Sequence, residues 1–353
     1  MYQHYTSDDF YYMSSLRFAR MPFFKGLVSC SSKKLKHIKN AIRSRFIPSQ
    51  YYSIRIKYPT SKMSNLSNRK IAVVTGASQG IGYHVSRELA QHNYKVYACA
   101  RHTEAIEKLA ENFAEGVIIP CHLDISKVVE IKKFKEKLGL ELPGQRLDLL
   151  FNNAGQSCTV PAIDVTDAMV EQCFQVNVFG HINMCAQLAE FLINAKGTIT
   201  FTGSLAGIAA FPFGSIYGAT KAAIHQYARV LHLEMRPFGV RVINTITGGV
   251  ATDIAEKRPL PDHSYLNFKE GIEAFDRRRE MAKRNHPTPV EEYAKQVVGD
   301  ILSSRDPLDV YRGKLARLLT LVYTFLPYWL IEWGVEKKFR LHAAYKVLRE
   351  KQH

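Results

Sequence analysis

The chain has 353 residues, 46% of them apolar, enough for one large buried α/β core with extensions. Of its net charge of +16, residues 1–62 hold most, with seven Lys and five Arg against two Asp and no Glu; the rest of the chain gives no reason to expect nucleic-acid binding. Six cysteines, at 30, 99, 121, 158, 173 and 185, show no Cys-x-x-Cys spacing and no paired framework. They read as reduced thiols in a cytosol-facing protein, and no metal site is expected.

Residues 1–68 form a basic extension rich in Tyr and Ser, without an apolar run long enough for a secretory signal. Residues 31–46 fit a basic amphipathic helix. Three readings stand for this region: a disordered tail, a misassigned start with translation beginning at Met63, and a mitochondrial or membrane-surface targeting arm.

From residue 69 strand and helix patterns alternate. Strands are predicted at 71–75, 95–100, 117–120, 147–152, 197–201, 240–245 and 309–311, with helices between them, among them 83–92, 166–194 and 215–237. Strict alternation implies one doubly wound, seven-stranded parallel sheet with helices on both faces. Ligands in such sheets bind beyond the carboxyl ends of the strands. Thr75, Asn152, Ser204 and Thr245 all fall at or just after those ends.

The first strand runs into Gly76-Ala77-Ser78-Gln79-Gly80-Ile81-Gly82 and then a helix. Strand, glycine turn and helix N-terminus make an anion site, because backbone N–H groups and the helix dipole both face a phosphate. Gly76 permits the turn, Gly80 lets the backbone approach a pyrophosphate, and Gly82 lets helix and strand pack closely. The same loop fits Gly-x-Ser-x-Gly, the nucleophile elbow of serine hydrolases, with Ser78 as nucleophile. After the second strand stands Ala100-Arg101 where an NAD enzyme carries an acid. A 2′-phosphate needs positive charge, so Arg101 favours NADP(H).

The helix at 215–237 opens Ser215-Ile216-Tyr217-Gly218-Ala219-Thr220-Lys221. Positions four apart share a helix face, so the Tyr217 phenol and the Lys221 ammonium can meet at one site. The expectation is that Lys221 lowers the phenol pKa toward the range useful for acid–base chemistry. Ser204 lies thirteen residues before Tyr217.

Taken together, Thr75-Gly76-x-x-x-Gly80-Ile81-Gly82, Asn152-Asn153-Ala154-Gly155, Asn177, Ser204, Tyr217 and Lys221 resemble the motif set of the short-chain dehydrogenases/reductases over residues 69–312. The resemblance implies a Rossmann fold and hydride transfer between NADPH and a carbonyl. In that scheme Tyr217 is the proton donor, Ser204 polarises the carbonyl oxygen, Lys221 also binds the nicotinamide ribose, and Asn177 holds a water for proton relay. Cofactor contacts carried over are Gly76, Ser78, Gly80, Ile81, Gly82, Arg101, Asp124 at the adenine, Asn153 at the adenosine ribose, and Val250 and Thr252 at the nicotinamide. Thr247-Gly248 replaces the usual Pro-Gly before Val250. Segments such as 177–184, 211–217 and 247–254 are similar to fungal members that reduce 1-acyldihydroxyacetone phosphate, and that likeness runs to about residue 340. An acyl-lipid phosphate substrate is thus implied, with steroid or retinoid ketones as alternatives. Homodimers through the helices holding Asn177 and Tyr217 are implied as well.

Residues 251–289 lie where the family keeps its substrate lid, and hold Lys257, Arg258, Arg277, Arg278, Arg279, Lys283 and Arg284. Some of these would serve a substrate anion, beside an apolar groove. Residues 318–331 carry no charge but are interrupted by Pro327, short of the roughly 20 residues that span a bilayer. Tyr323, Tyr328, Trp329 and Trp333 suit a membrane interface, and Arg312, Lys314, Arg317, Lys337, Lys338 and Arg340 suit anionic headgroups. The expectation for 313–353 is a membrane-associated tail on the cytosolic face of the endoplasmic reticulum, of lipid droplets or of the mitochondrial outer membrane. The alternative is a helix packed on the core.

Overall fold

The computed structural model describes residues 68–252, 254 and 258–352, all within one compact unit, Met63–His353. The expectations for 1–67 lie outside the described residues.

Seven strands form one parallel sheet: β1 (Lys70–Thr75), β2 (Tyr94–Ala100), β3 (Ile118–His122), β4 (Leu149–Asn152), β5 (Thr198–Thr202), β6 (Arg241–Thr247) and β7 (Asp309–Arg312), in the order β3-β2-β1-β4-β5-β6-β7. All seven expected strands are present, with ends displaced by up to two residues. The order reverses between β1 and β4, in register Ala72 to Leu149 and Val74 to Phe151. The crevice there is the ligand position that such topology creates.

The pleat divides each strand between two cores. In β1, Ile71 and Val73 join one cluster while Ala72 and Val74 join the other. The first is closed by α3 (Val128–Glu141), α5 (Gly180–Ala195) and α6 (Ser215–Met235), through Phe134, Leu188 and Ile224 among others. The second is closed by α1 (Gly80–Gln91), α2 (Glu104–Ala110) and α9 (Val290–Leu302), through Leu89, Ile106 and Val297. The helix expected at 166–194 is interrupted: α4 (Asp167–Phe174) passes through a π-turn, Gln175–Phe179, into α5. Such single-turn bulges occur often at functional sites, and this one contains Asn177.

The lid contains α7 (Lys269–Arg279) and the short α8 (Met281–Arg284). The C-terminal residues form α10 (Ala316–Phe325), α11 (Tyr328–Phe339) and α12 (Leu341–Gln352). Phe339 and Leu341 pack with Ala274, Phe211 and Phe213 into a further apolar cluster, so α11 and α12 rest on the lid. The other side of the C-terminal helices is exposed: Phe325 is 76% accessible, Trp329 67% and Trp333 53%. Among the described residues no helix is long and apolar enough to cross a membrane.

Candidate active site

The strand ends and the lid enclose a cavity of about 590 Å³. The glycine turn forms one end. Gly76 and Gly80 sit at φ +65° and +55°, in the left-handed region, and a Cβ on Gly76 would lie 2.7 Å from the Ala154 Cα. A Cβ on Gly82 would collide with the Gly76 carbonyl oxygen. No side chain caps α1, and its first turn carries no acid, so its N-terminus faces the cavity with amide groups and dipole uncompensated.

Asn153 ties this end together. Its amide donates to the Thr75 and Gly76 carbonyls at 3.0 and 3.2 Å and accepts from the Thr202 hydroxyl at 3.1 Å. The Thr75 hydroxyl in turn accepts from the Asn153 and Ala154 amides. Asn153 therefore cross-links β1, β4 and β5, with its polar atoms committed to the scaffold.

Arg101 is exposed at the cavity wall beside Asp124. Burial alone would raise the Asp124 pKa, but hydrogen bonds from the Ser126 amide and hydroxyl, with Lys127 and Arg101 nearby, hold it below the usual value. Val250 and Thr252 also line the cavity. The Thr247-Gly248 departure from Pro-Gly is accommodated by pairing. Gly249 exchanges backbone bonds with Lys314 at 2.9 Å, and the Thr247 hydroxyl meets the Tyr293 hydroxyl at 2.6 Å.

The cradle fits a dinucleotide. Glycines clear the approach, the uncapped α1 amides face the cavity as an anion site would, and Arg101 adds positive charge beside Asp124. Ser78 lines the same cavity. Among the described residues no hydrogen bond joins it to a histidine.

The chemical end is built on α6. Tyr217, Ser204 and Lys221 all line the cavity. The Lys221 ammonium donates to the Thr202 carbonyl at 2.8 Å and lies 5.8 Å from the Tyr217 ring centre. Burial lowers its pKa to about 8. The expected depression of the Tyr217 pKa is not found: burial raises it, and the Ser204 hydrogen bond and the Arg278 charge offset that only in part. The reason is that desolvation of the phenolate outweighs its partners, while the Lys221 charge is directed at a carbonyl.

Asn177 is buried and does not line the cavity. Its amide exchanges two hydrogen bonds with the Gln156 backbone, at 2.9 and 3.0 Å, and donates to Thr220 at 3.1 Å. It thus clamps the loop after β4 onto α6. Two histidines that the sequence reading passed over support the same site. His225 accepts from the Ser204 amide at 3.1 Å, and His181 donates to the Ala154 carbonyl at 2.7 Å. Burial lowers their pKa values to about 4 and about 3, so both are neutral. His225 extends the Tyr217–Lys221 spacing by another four residues, a signal present in the sequence.

The basic residues sort by partner. Arg277, Arg279 and Arg284 pair with Glu273, Asp276 and Glu280 of their own segment. Arg312 is held by Asp300, and Arg340 bonds Glu273 at 2.6 Å. Lys314 and Lys338 line the cavity.

The short chain dehydrogenase family model matches residues 70–262. The chain is 63% identical over 292 residues to NADPH-dependent 1-acyldihydroxyacetone phosphate reductase of Saccharomyces cerevisiae, covering 82% of this chain and 98% of that one. It is 32% identical over 230 residues to the protein of the same name in Schizosaccharomyces pombe, covering 64% and 76%. A crystal structure of a short-chain dehydrogenase from Streptomyces avermitilis superposes with a TM-score of 0.63 at 22% identity, over 73% of this chain and 92% of that one, and shares the fold. Geometry, family model and relatives agree that this chain belongs to the short-chain dehydrogenase family.

Proposed function

We propose that this protein reduces the ketone of 1-acyldihydroxyacetone phosphate with NADPH, giving 1-acylglycerol 3-phosphate. The observation that carries the reading is the 63% identity to the S. cerevisiae reductase along nearly its whole length, with Ser204, Tyr217 and Lys221 assembled at one cavity. NADPH, when bound, supplies the hydride that the carbonyl carbon accepts. Gly76, Ser78, Gly80, Ile81, Gly82, Arg101, Asp124, Asn153, Tyr217, Lys221, Val250 and Thr252 would hold it. Tyr217 is protonated at neutral pH, as a proton donor must be, and delivers its proton to the carbonyl oxygen as charge develops there. Ser204 donates a hydrogen bond to the same oxygen. Lys221, held on the Thr202 carbonyl, would bind the nicotinamide ribose, while His225 braces the Ser204 backbone and Asn177 braces α6 through Thr220.

The same reading puts the exposed side of α10 and α11, with Arg317 and Lys337 beside its aromatic residues, on an endoplasmic reticulum or lipid-droplet surface where acyl substrates reside. Homodimers would form through the Gln175–Phe179 turn with α5 and α6, where Phe179, Val230 and Leu233 are exposed.

The test is NADPH oxidation by purified protein with 1-palmitoyl-dihydroxyacetone phosphate, with NADH and Tyr217→Phe as controls. Turnover that prefers NADPH and falls about 10²- to 10⁴-fold in Tyr217→Phe is expected. No turnover, with NADPH still bound, would remove this substrate and leave other lipophilic ketones such as steroids and retinoids.

A further inference from the structure

The two ends of the cavity differ in charge. The carboxylates among its described lining residues are Glu104 and Asp124, both on the side of Arg101. The wall formed by the lid and the C-terminal helices carries Arg278, Arg279, Lys314 and Lys338 with no acid, interleaved with apolar Phe211, Met281, Leu315 and Leu319.

Arg278 differs from the arginines around it. On a helix, carboxylates at i−3 or i−4 neutralise an arginine. Arg277 has Glu273, Arg279 has Asp276, and Arg284 has Glu280. The corresponding positions for Arg278 are Phe275 and Ala274, both buried and apolar. Among the described residues it has no carboxylate partner. It lies over the Phe211 ring at 5.5 Å, and its Nε is out of solvent without a hydrogen bond. Its Nη2 would stand 3.3 Å from a Cβ placed on Gly214, three residues before Tyr217. Its charge and the Tyr217 phenol also perturb each other.

A partly desolvated guanidinium without a counter-ion is costly, and an anionic ligand removes that cost. We propose that Arg278 is the anchor for the phosphate of the ketone substrate, assisted by Lys314 and Lys338, with the acyl chain lying over Met281, Leu315 and Leu319. This rests on the proposed reaction. The planar guanidinium matches phosphate in two-pronged geometry and is positioned by a cation–π contact with Phe211. An anchor so close to Tyr217 fixes which carbonyl of a small, flexible headgroup meets the proton donor.

The test compares kcat/KM for 1-palmitoyl-dihydroxyacetone phosphate with that for the unphosphorylated ketone, in wild type, Arg278→Ala and Arg278→Lys. The preference for the phosphorylated ketone should fall about 10- to 100-fold in Arg278→Ala, with Arg278→Lys intermediate. A preference that stays within about threefold of wild type overturns the proposal, because equal loss on both ketones marks a residue acting through Tyr217 or the lid. Should wild type reduce neither ketone, the proposed reaction fails, and the anchor is read by calorimetry instead. Glycerol 3-phosphate would be titrated into NADP⁺-saturated protein. Binding weakened at least about tenfold by Arg278→Ala supports the anion site, and binding unchanged by the substitution, or none to wild type, overturns it.

Discussion

At the residue scale, the site is governed by desolvation. Tyr217 stays protonated because burial opposes phenolate, and Lys221 is brought to about pH 8 by the same effect. The two shifts give reduction a defined alkaline limit. Lys221 is charged below about pH 8 and loses its proton above it, so kcat/KM for ketone reduction should decline as pH rises through that value while Tyr217 remains protonated. A rate profile measured from pH 6 to 10 checks this; a flat line across pH 8 would show that the Lys221 charge is not needed. Asn177 and Asn153 show another side of the residue scale. Sequence motif places both at the site: Asn153 lines the cavity while its amide holds the glycine turn, whereas the Asn177 amide is committed to the loop after β4.

At the scale of elements, α6 organises the chemistry. Tyr217, Lys221 and His225 follow one another at four-residue spacing along it, and each faces the end of β5: Tyr217 and His225 through Ser204, Lys221 through the Thr202 carbonyl. His225 must be neutral to accept from the Ser204 amide. Its ordinary pKa of 6.5 falls to about 4 on folding, so the unfolded chain takes up a proton between these values that the folded chain refuses. The stability present above pH 6.5 is therefore lost as pH falls toward about 4, by up to about 3 kcal/mol for this group. Urea unfolding across that range should show the loss, and His225→Gln, a neutral acceptor, should flatten the slope. An identical slope in the variant would assign the acid sensitivity elsewhere, His181 being the next buried candidate.

At the scale of the molecule, the C-terminal helices join two surfaces. Their inner side packs on the lid through Phe339 and Leu341 and lends Leu315, Leu319 and Lys338 to the cavity. Their outer side exposes Phe325, Trp329 and Trp333. If that side rests on lipid, the full chain should float with vesicles of phosphatidylcholine and phosphatidylserine, and Trp329→Asp with Trp333→Asp should release it without loss of NADPH binding. Flotation unchanged in the double variant would sink the membrane-surface reading.

The seven strands, the glycine cradle and the Tyr217–Lys221 pair were legible in the chain because each is a local pattern: apolar runs with turns between them, glycines at fixed spacing, and side chains four apart on one helix. Pairing across the fold was not. Nothing in the sequence distinguishes Arg278 from Arg277 and Arg279 until the helix register is set against Glu273 and Asp276. Nor does it tell that Arg312 belongs to Asp300, that Arg340 reaches Glu273, or that the C-terminal helices cover the lid. Charge state likewise waited on tertiary structure. The sequence sets an ammonium near a phenol, but the pKa of each depends on how much water folding removes and on the partners it meets, and here burial is the largest cause for both.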